Sequence, residues 1–319
     1  MVRSLIIGCG HYLPEKVITN HDLSTVLDTS HEWIVERTGI HKRHFAADGE
    51  LTSDLATAAA WEALKAAGLT PQDIDLIIVA TVTPDRTFPS TATIVQSKLG
   101  CKGLAFDVSA ACSGYILALS TADHYLRLGS MKTALVIGAE TFSRIIDPQD
   151  RKTYVLFGDG AGAVILRAEN NPGNRGVLHT SMHSDGTYGD LLYTDGGPSL
   201  SGTAGYIRML GREVFKHAIT KLTNSALEAL AHENISIQEL DWLVPHQANI
   251  RIIEAIAERL NLSSDRVVIT VDEHANTSAA SIPLALCKAV SDGRIQPGHL
   301  ILHEAIGGGL VWGSALIRW

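Results

Sequence analysis

The sequence predicts an α/β chain built from two copies of one strand–helix unit. Three observations carry that prediction. Short apolar runs bounded by turn residues alternate with segments whose apolar residues recur at helical spacing. At 319 residues the chain is long for a single core, so two domains or a doubled one are expected. Finally, Glu62–Asp75 (EALKAAGLTPQDID) aligns without a gap on Glu228–Asp241 (EALAHENISIQELD) at an offset of 241 − 75 = 166. Placing Cys112 on Asn276 (276 − 112 = 164) also sets Gly129 on Gly293 and Glu140 on Glu304, and Gly162–Arg167 matches Gly313–Arg318 at 313 − 162 = 151. The matches keep one order in both halves, which reads as an internal duplication with extra loop residues before the first half's last strand. The joint falls in the turn-rich Pro172–Arg175, giving halves 1–172 and 173–319.

In chain order, residues 4–9 read as a first strand. Trp33–Arg37 is expected to be helical, with Trp33 and Arg37 one turn apart. A flat aromatic beside a guanidinium suits an adenine and its phosphates, and equally suits an ordinary surface anchor. Ser53–Ala67 is an alanine-rich helix stopped by Gly68, and Asp75–Thr81 is a fully buried strand. Leu104, Phe106 and Val108 alternate with smaller or polar residues as a strand entering a core would. After Ser113-Gly114 the period changes, because Tyr115, Leu119, Ala122 and Leu126 fall on one helical face that ends at Leu128-Gly129. Cys112 therefore sits at a strand-to-helix corner among small residues, where a helix N-terminus would favour its thiolate. Trp242–His246 reads as a strand that turns into a helix.

Composition narrows the class. Hydrophobic residues make up 45% and charged ones 19%, the balance of a well-buried enzyme, and a net charge of −8 argues against general nucleic-acid or anionic-membrane binding. The four cysteines are scattered, without CxxC spacing, as reduced cytosolic thiols would be. No signal-peptide pattern or bilayer-length apolar run is found, so a cytoplasmic protein is expected.

If the corners of the two halves converge, Cys112, His246 and Asn276 bring a thiol, an imidazole and an amide into one site. Such a set can attack a carbonyl and stabilise an oxyanion, but it holds no carboxylate base. That suits thioester exchange on Cys112, then a decarboxylation whose enolate is held by His246 and Asn276, since loss of CO2 itself creates the carbanion. Papain-like proteases use the same residue types, but they carry their cysteine near the mature N-terminus and are not duplicated. The Ile306–Leu310 amides, Gly308 among them, could form an oxyanion hole with the Cys112 amide. Phe157–Gly162 lacks the following helix of a phosphate loop and reads as close backbone packing. His179 and His183 lie four apart with no helical pattern, and no metal site is read there.

Asp107–Gly114 (DVSAACSG), Pro245–Asn249 (PHQAN) and His274–Ser281 (HANTSAAS) resemble the nucleophile, histidine and asparagine motifs of the β-ketoacyl-acyl-carrier-protein synthase III family, the initiating condensing enzymes of bacterial type II fatty-acid synthesis. The resemblance runs from about residue 4 to Trp319. Elongating synthases would have a second histidine at Asn276, and hydroxymethylglutaryl-CoA synthases add a glutamate base. Plant-type polyketide synthases are longer and differ around the cysteine. The resemblance implies a thiolase fold, two βαβαβαββ halves in a five-layered α-β-α-β-α sandwich, and a homodimer. It further implies ping-pong chemistry in which an acyl-CoA primer acylates Cys112 and the carbanion of decarboxylated malonyl-carrier protein attacks that thioester. Coenzyme A is then a substrate, and no cofactor or metal is needed. A relative serving secondary metabolism is the alternative; a non-catalytic paralogue fits the intact Cys112, His246 and Asn276 poorly.

Carried onto this chain, the resemblance gives coenzyme A contacts at Thr29, Trp33, Arg37, Arg151, Gly211, Phe215, Ala248 and Asn249, with Trp33 and Arg151 flanking adenine. Carrier-protein contacts fall on Gln247, Ala248, Asn249, Ile250 and Arg251. Arg208, Arg212 and Lys216 recur every four residues, so a helix over 206–216 would align a basic stripe, from which Arg212 and Lys216 are expected to join Arg251. The acyl pocket takes Phe88, Phe157 and Ile306, with Phe88 reaching across the dimer interface to limit the primer to acetyl or propionyl. Departures from the family pattern are Ala275, Arg212 and Ile306, in place of the commoner glycine, asparagine and phenylalanine.

Overall fold

The computed structural model describes residues 2–319. From the N-terminus it runs β1 (Val2–Tyr12), β2 (Lys16–Thr19), α1 (Asn20–Ser24), α2 (His31–Thr38), β3 (Lys42–Phe45), α3 (Thr52–Ala67), β4 (Leu76–Ala80), α4 (Thr91–Leu99), β5 (Leu104–Val108), α5 (Gly114–Arg127), β6 (Thr133–Glu140), α6 (Arg151–Tyr154) and β7 (Gly160–Asn170). The chain continues with β8 (Gly176–Ser184), β9 (Leu192–Thr194), β10 (Ile207–Met209), α7 (Gly211–His232), β11 (Trp242–Pro245), α8 (Ile250–Arg259), α9 (Val271–His274), α10 (Ser281–Ser291), β12 (Leu300–Gly307) and β13 (Val311–Arg318).

The main strands form two sheets, ordered β1-β7-β6-β4-β5 and β8-β13-β12-β11. Strand for strand the second repeats the first: two antiparallel pairings, then a parallel one. The fifth strand of the second sheet shrinks to one parallel bridge, Leu243 to Val267. Strand alternation then sorts the side chains into layers. Leu76, Ile78 and Val136 join Val244, Ile301 and Ile317 around the central helices α5 and α10, where Tyr115, Leu119 and Leu286 are fully buried. Ile77, Val79 and Leu135 face α3 and α4, while Leu243, Leu300 and Leu302 face α7 and α8. The result is the five-layered α-β-α-β-α sandwich. Alanines dominate α3 because β1 approaches it through glycine; a Cβ on Gly10 would lie 2.3 Å from the Ala63 amide nitrogen. Close packing is also the role of the Phe157–Gly162 run, since a Cβ on Gly162 would meet the Leu284 nitrogen at 2.7 Å.

The strand registers correct the sequence alignment of the halves. Pairing Leu76 with Ala134 and Trp242 with Ile301 gives offsets of 242 − 76 = 166 and 301 − 134 = 167. The short 3-10 turns Ala111–Ser113 and Ser278–Ala280 agree, at 278 − 111 = 167. Cys112 therefore corresponds to Ala279, and Glu140 to Gly307, rather than to Asn276 and Glu304. Helix α10 has 11 residues where α5 has 14, and the loop after it absorbs the difference. Only the helix ends return to an offset of 164, where Gly129 (φ 75°) and Gly293 (φ 81°) both take the left-handed conformation.

Two further expectations change. The strand Leu104–Val108 reaches the core only in part: it forms the open edge of the first sheet, with Phe106 and Val108 half-buried against the core and Leu104 46% exposed. Residues 206–210 are not helical, because Ile207–Met209 pairs as β10 with β9 and α7 begins at Gly211. Among the described residues no helix is long and apolar enough to cross a membrane.

Candidate active site

Cys112 stands on a sharp corner between β5 and α5. Ala111 before it adopts φ 45°, a conformation disfavoured for a residue with a Cβ, which turns the chain at once from strand to helix. From the other side, β12 ends at Gly307, whose missing Cβ would lie 2.8 Å from the Cys112 amide nitrogen. Burial pushes the Cys112 thiol up to about 12, against the Ser278 side chain, which pulls it down. The resting sulfur is therefore a thiol, and the thiolate-favouring corner read from the sequence is overridden by desolvation.

His246 follows the last residue of β11, and its amide donates to the Glu304 carbonyl at 2.8 Å. Its ring is buried, Nδ1 has no partner, and burial lowers its pKa to about 3, so the imidazole is neutral. Asn276 is held by its backbone: its amide donates to the Leu156 carbonyl (2.9 Å) and its carbonyl accepts from the Gly158 amide (3.0 Å). The Ser278 amide donates to Asn276 Oδ1 at 2.9 Å, which leaves the side-chain NH2 to face the cavity.

These three side chains line one cavity of about 110 Å3, together with Phe157, Met209, Gly211, Phe215, Ala248, Asn249 and Ile306. It continues through Gly211, Phe215 and Asn249 into an opening lined also by Arg37, Arg212 and Arg251. A second cavity of about 270 Å3 meets the first at Cys112, Phe157 and Leu192, and is bounded by Val82, Phe142, Ile145, Ile207 and Gly308. The thiol thus lies where a cation-rimmed channel meets an apolar pocket.

Other positions named from the sequence sort themselves against this geometry. The guanidinium carbons of Arg37 and Arg151 lie 4.6 and 4.8 Å from the Trp33 ring centroid, and Arg151 also bonds Asp28. Thr29 lies in the turn before α2, half-buried, with its hydroxyl unpartnered. Asn249 caps α8, accepting the Ile252 amide at 3.1 Å. Gln247 cannot meet a carrier protein, because it is buried and spends its amide on Pro245, Val268, Thr270 and Val271. Ile250 is likewise turned inward, half-buried against Gly39. Arg208 leaves the basic stripe for ion pairs with Asp147 (2.8 Å) and Asp195 (2.6 Å), and Lys216 pairs with Glu213 at 3.1 Å, away from the channel mouth. Ile306 lines the channel rather than the apolar pocket, and Phe88, 84% exposed, lines neither cavity. His179 meets His232 and Glu233, not His183, which bonds Glu228. The sequence reading missed Ser278, Glu140 and the clamp role of Gln247; Ser278 and Gln247 are polar side chains inside the motifs, whereas Glu140 lies outside all three and carried no local signal.

Comparison with known proteins identifies the chain's relatives. The profile described as 3-oxoacyl-[acyl-carrier-protein (ACP)] synthase III matches residues 106–186, and its C-terminal counterpart matches 230–319. The chain is 61% identical to the beta-ketoacyl-[acyl-carrier-protein] synthase III of Rhodospirillum centenum, over 100% of this chain and 99% of that protein. The crystal structure of 3-oxoacyl-[acyl-carrier-protein] synthase III from Aquifex aeolicus shares 47% identity and a TM-score of 0.94, covering 99% of this chain and 100% of that one. The priming β-ketosynthase of the R1128 polyketide pathway stands further off, at 33% identity and a TM-score of 0.91, with 99% and 96% covered. The chain belongs to the 3-oxoacyl-[acyl-carrier-protein] synthase III family.

Proposed function

We propose that this protein condenses a short acyl-CoA primer, acetyl-CoA in the first place, with malonyl-acyl-carrier protein to give 3-oxoacyl-carrier protein, CoA and CO2, the step that starts fatty-acid synthesis. The observation that carries the reading is the meeting of Cys112, His246 and Asn276 in a channel whose mouth bears Arg37, Arg212 and Arg251. A pantetheine arm is narrow and ends in phosphate, which suits such a channel. Cys112 takes the acyl group while the amides of Cys112 and Gly308 hold the oxyanion. His246 and the Asn276 amide then donate to the enolate oxygen formed as CO2 leaves, and that carbanion attacks the Cys112 thioester. Each step is thioester exchange, decarboxylation or carbanion attack on a thioester, so CoA is read as substrate and no cofactor is called for.

Trp33 and Arg151 are read as the adenine site; a purine stacking on the indole would have to displace one of the guanidiniums now over it. Arg212 and Arg251 are read as the carrier-protein contact. A homodimer is part of the proposal, supported by the unpaired edge of β5 and the exposure of Phe88. So are a cytoplasmic location and a division at residue 172/173 into a nucleophile half and a His/Asn half. A role in secondary metabolism is not favoured, given 61% identity to the synthase III of R. centenum against 33% to the polyketide ketosynthase. The test is a panel of acetyl-, butyryl- and octanoyl-CoA with malonyl-carrier protein, product read by mass, on wild type and Phe88→Ala. Acetyl-CoA should lead in wild type, with longer primers gaining in the variant; no product from any primer would refute the function, and an unmoved preference would refute Phe88 as the stop.

A further inference from the structure

Strand β6 ends in Glu140, a fully buried carboxyl that no arginine or lysine neutralises. It accepts hydrogen bonds from the hydroxyls of Thr83 (2.5 Å), Thr81 (3.1 Å) and Ser278 (3.3 Å), and from the Val82 amide (3.2 Å). The Ser278 side chain also acts on the Cys112 sulfur, lowering the pKa of its thiol. Ser278 holds φ 50°, the left-handed region where a serine is strained, in the turn that repeats the Cys112 corner. That conformation aims its hydroxyl at Glu140 while its amide holds Asn276.

We infer that Glu140, acting through the Ser278 hydroxyl, receives the Cys112 proton during acyl transfer and stores it until the cysteine is released. The inference rests on the function proposed above. As the sulfur attacks the acyl-CoA carbonyl, its proton passes to Ser278 Oγ and the Ser278 hydroxyl proton passes to the Glu140 carboxylate. The C–S bond to CoA breaks, and the CoA thiolate takes a proton from solvent. When the carbanion attacks the thioester, the C–S bond to Cys112 breaks, and the cysteine thiolate regains the stored proton by the reverse path. One solvent proton is consumed per turnover, as replacing a malonyl carboxylate by neutral CO2 requires.

Two features favour Glu140 over His246 as the acceptor. Burial holds the imidazole at about 3, a poor base near neutrality, and holds Glu140 up at about 7. The groups that hydrogen-bond Glu140 are three hydroxyls and one amide, and Gly160 opposite it on β7 offers no side chain. Asp159 is turned away to Ser143 and Ala46, beside Arg144.

The test is single-turnover acetyl transfer from acetyl-CoA, followed by intact mass across neutral pH. Wild type should accelerate as pH rises through about 7, where Glu140 ionises, and then level off. Glu140→Gln should lower the plateau about 100-fold and abolish that limb. The same loss is expected of Ser278→Ala, which keeps the amide to Asn276 and the Thr81 and Thr83 contacts and so serves if Glu140→Gln does not fold. Decarboxylation of malonyl-carrier protein, in which the thiol proton takes no part, should fall far less than acyl transfer. A folded variant with the wild-type rate and pH profile overturns the relay alone. Wild type that accepts no acetyl group overturns the relay and the proposed function together.

Discussion

Gly307→Ala tests the nucleophile corner by adding one methyl group. The new Cβ would stand 2.6 Å from the Ala110 carbonyl oxygen, 2.8 Å from the Cys112 nitrogen and 3.1 Å from the Ala111 Cβ. Ordinary contact begins near 3.4 Å, so the backbone must separate by 3.4 − 2.6 = 0.8 Å at the oxygen and 3.4 − 2.8 = 0.6 Å at the nitrogen. Two of the three obstacles are main chain and cannot rotate aside. The displaced group is the amide proposed to hold the oxyanion, and misplacing it by this much costs about 100-fold in rate. Overpacking should cost about 1–3 kcal/mol of stability in addition. The assay pairs acetyl transfer to Cys112, read by mass, with urea denaturation. Gly189→Ala, where nothing lies within 4 Å, is the control and should match wild type within about twofold. A folded Gly307→Ala protein that acylates within about twofold of wild type would refute the corner as the place where the oxyanion is held.

Two other consequences follow from charge. Arg251→Glu at the channel mouth should raise KM for malonyl-carrier protein more than about tenfold, and added salt should narrow the gap, whereas Lys216→Glu, already neutralised by Glu213, should change it less than about twofold; equal effects would contradict the mouth assignment. Glu304 is buried with both carboxyl oxygens unpartnered, and burial raises it from 4.5 to about 8. Between those values the folded state binds more protons than the unfolded one, so this group's contribution to stability is present below pH 4.5 and is lost as pH rises through about 8. Glu304→Gln should remove that decline and gain a few kcal/mol at pH 8 relative to wild type, measured by denaturant midpoints; a parallel pH dependence in both proteins would contradict it.

Much of this was legible in the sequence because it is local. The change of period at Ser113-Gly114 reveals the Cys112 corner, since a strand and a helix bury different spacings, and the repeat of Glu62–Asp75 reveals the duplication. What failed depended on distant partners. The edge position of β5 is invisible in its alternation, because Leu104 would look the same with another strand beside it. The 164 offset misled because α10 lost three residues that its following loop regained, so matching glycines drew Cys112 onto Asn276. Arg208 kept helical spacing but was captured by β9, Asp147 and Asp195. Gln247 looked accessible within a motif, yet its amide is consumed in clamping the chain that leads to Asn276. Glu140 and Ser278 lie 138 residues apart, and only the packing of the two halves brings them to one thiol.

The central claim is that Cys112 carries the acyl group and that Asn276 and His246 serve the later decarboxylation. The direct measurement is label transfer from acetyl-CoA to protein, run beside condensation with malonyl-carrier protein, on Cys112→Ala, Asn276→Ala and His246→Ala. Cys112→Ala should take no label. The other two should keep much of the labelling and lose condensation by about 3–4 kcal/mol of barrier, the loss of one oxyanion donor. Label on Cys112→Ala, or condensation by Asn276→Ala at the wild-type rate, would contradict the account.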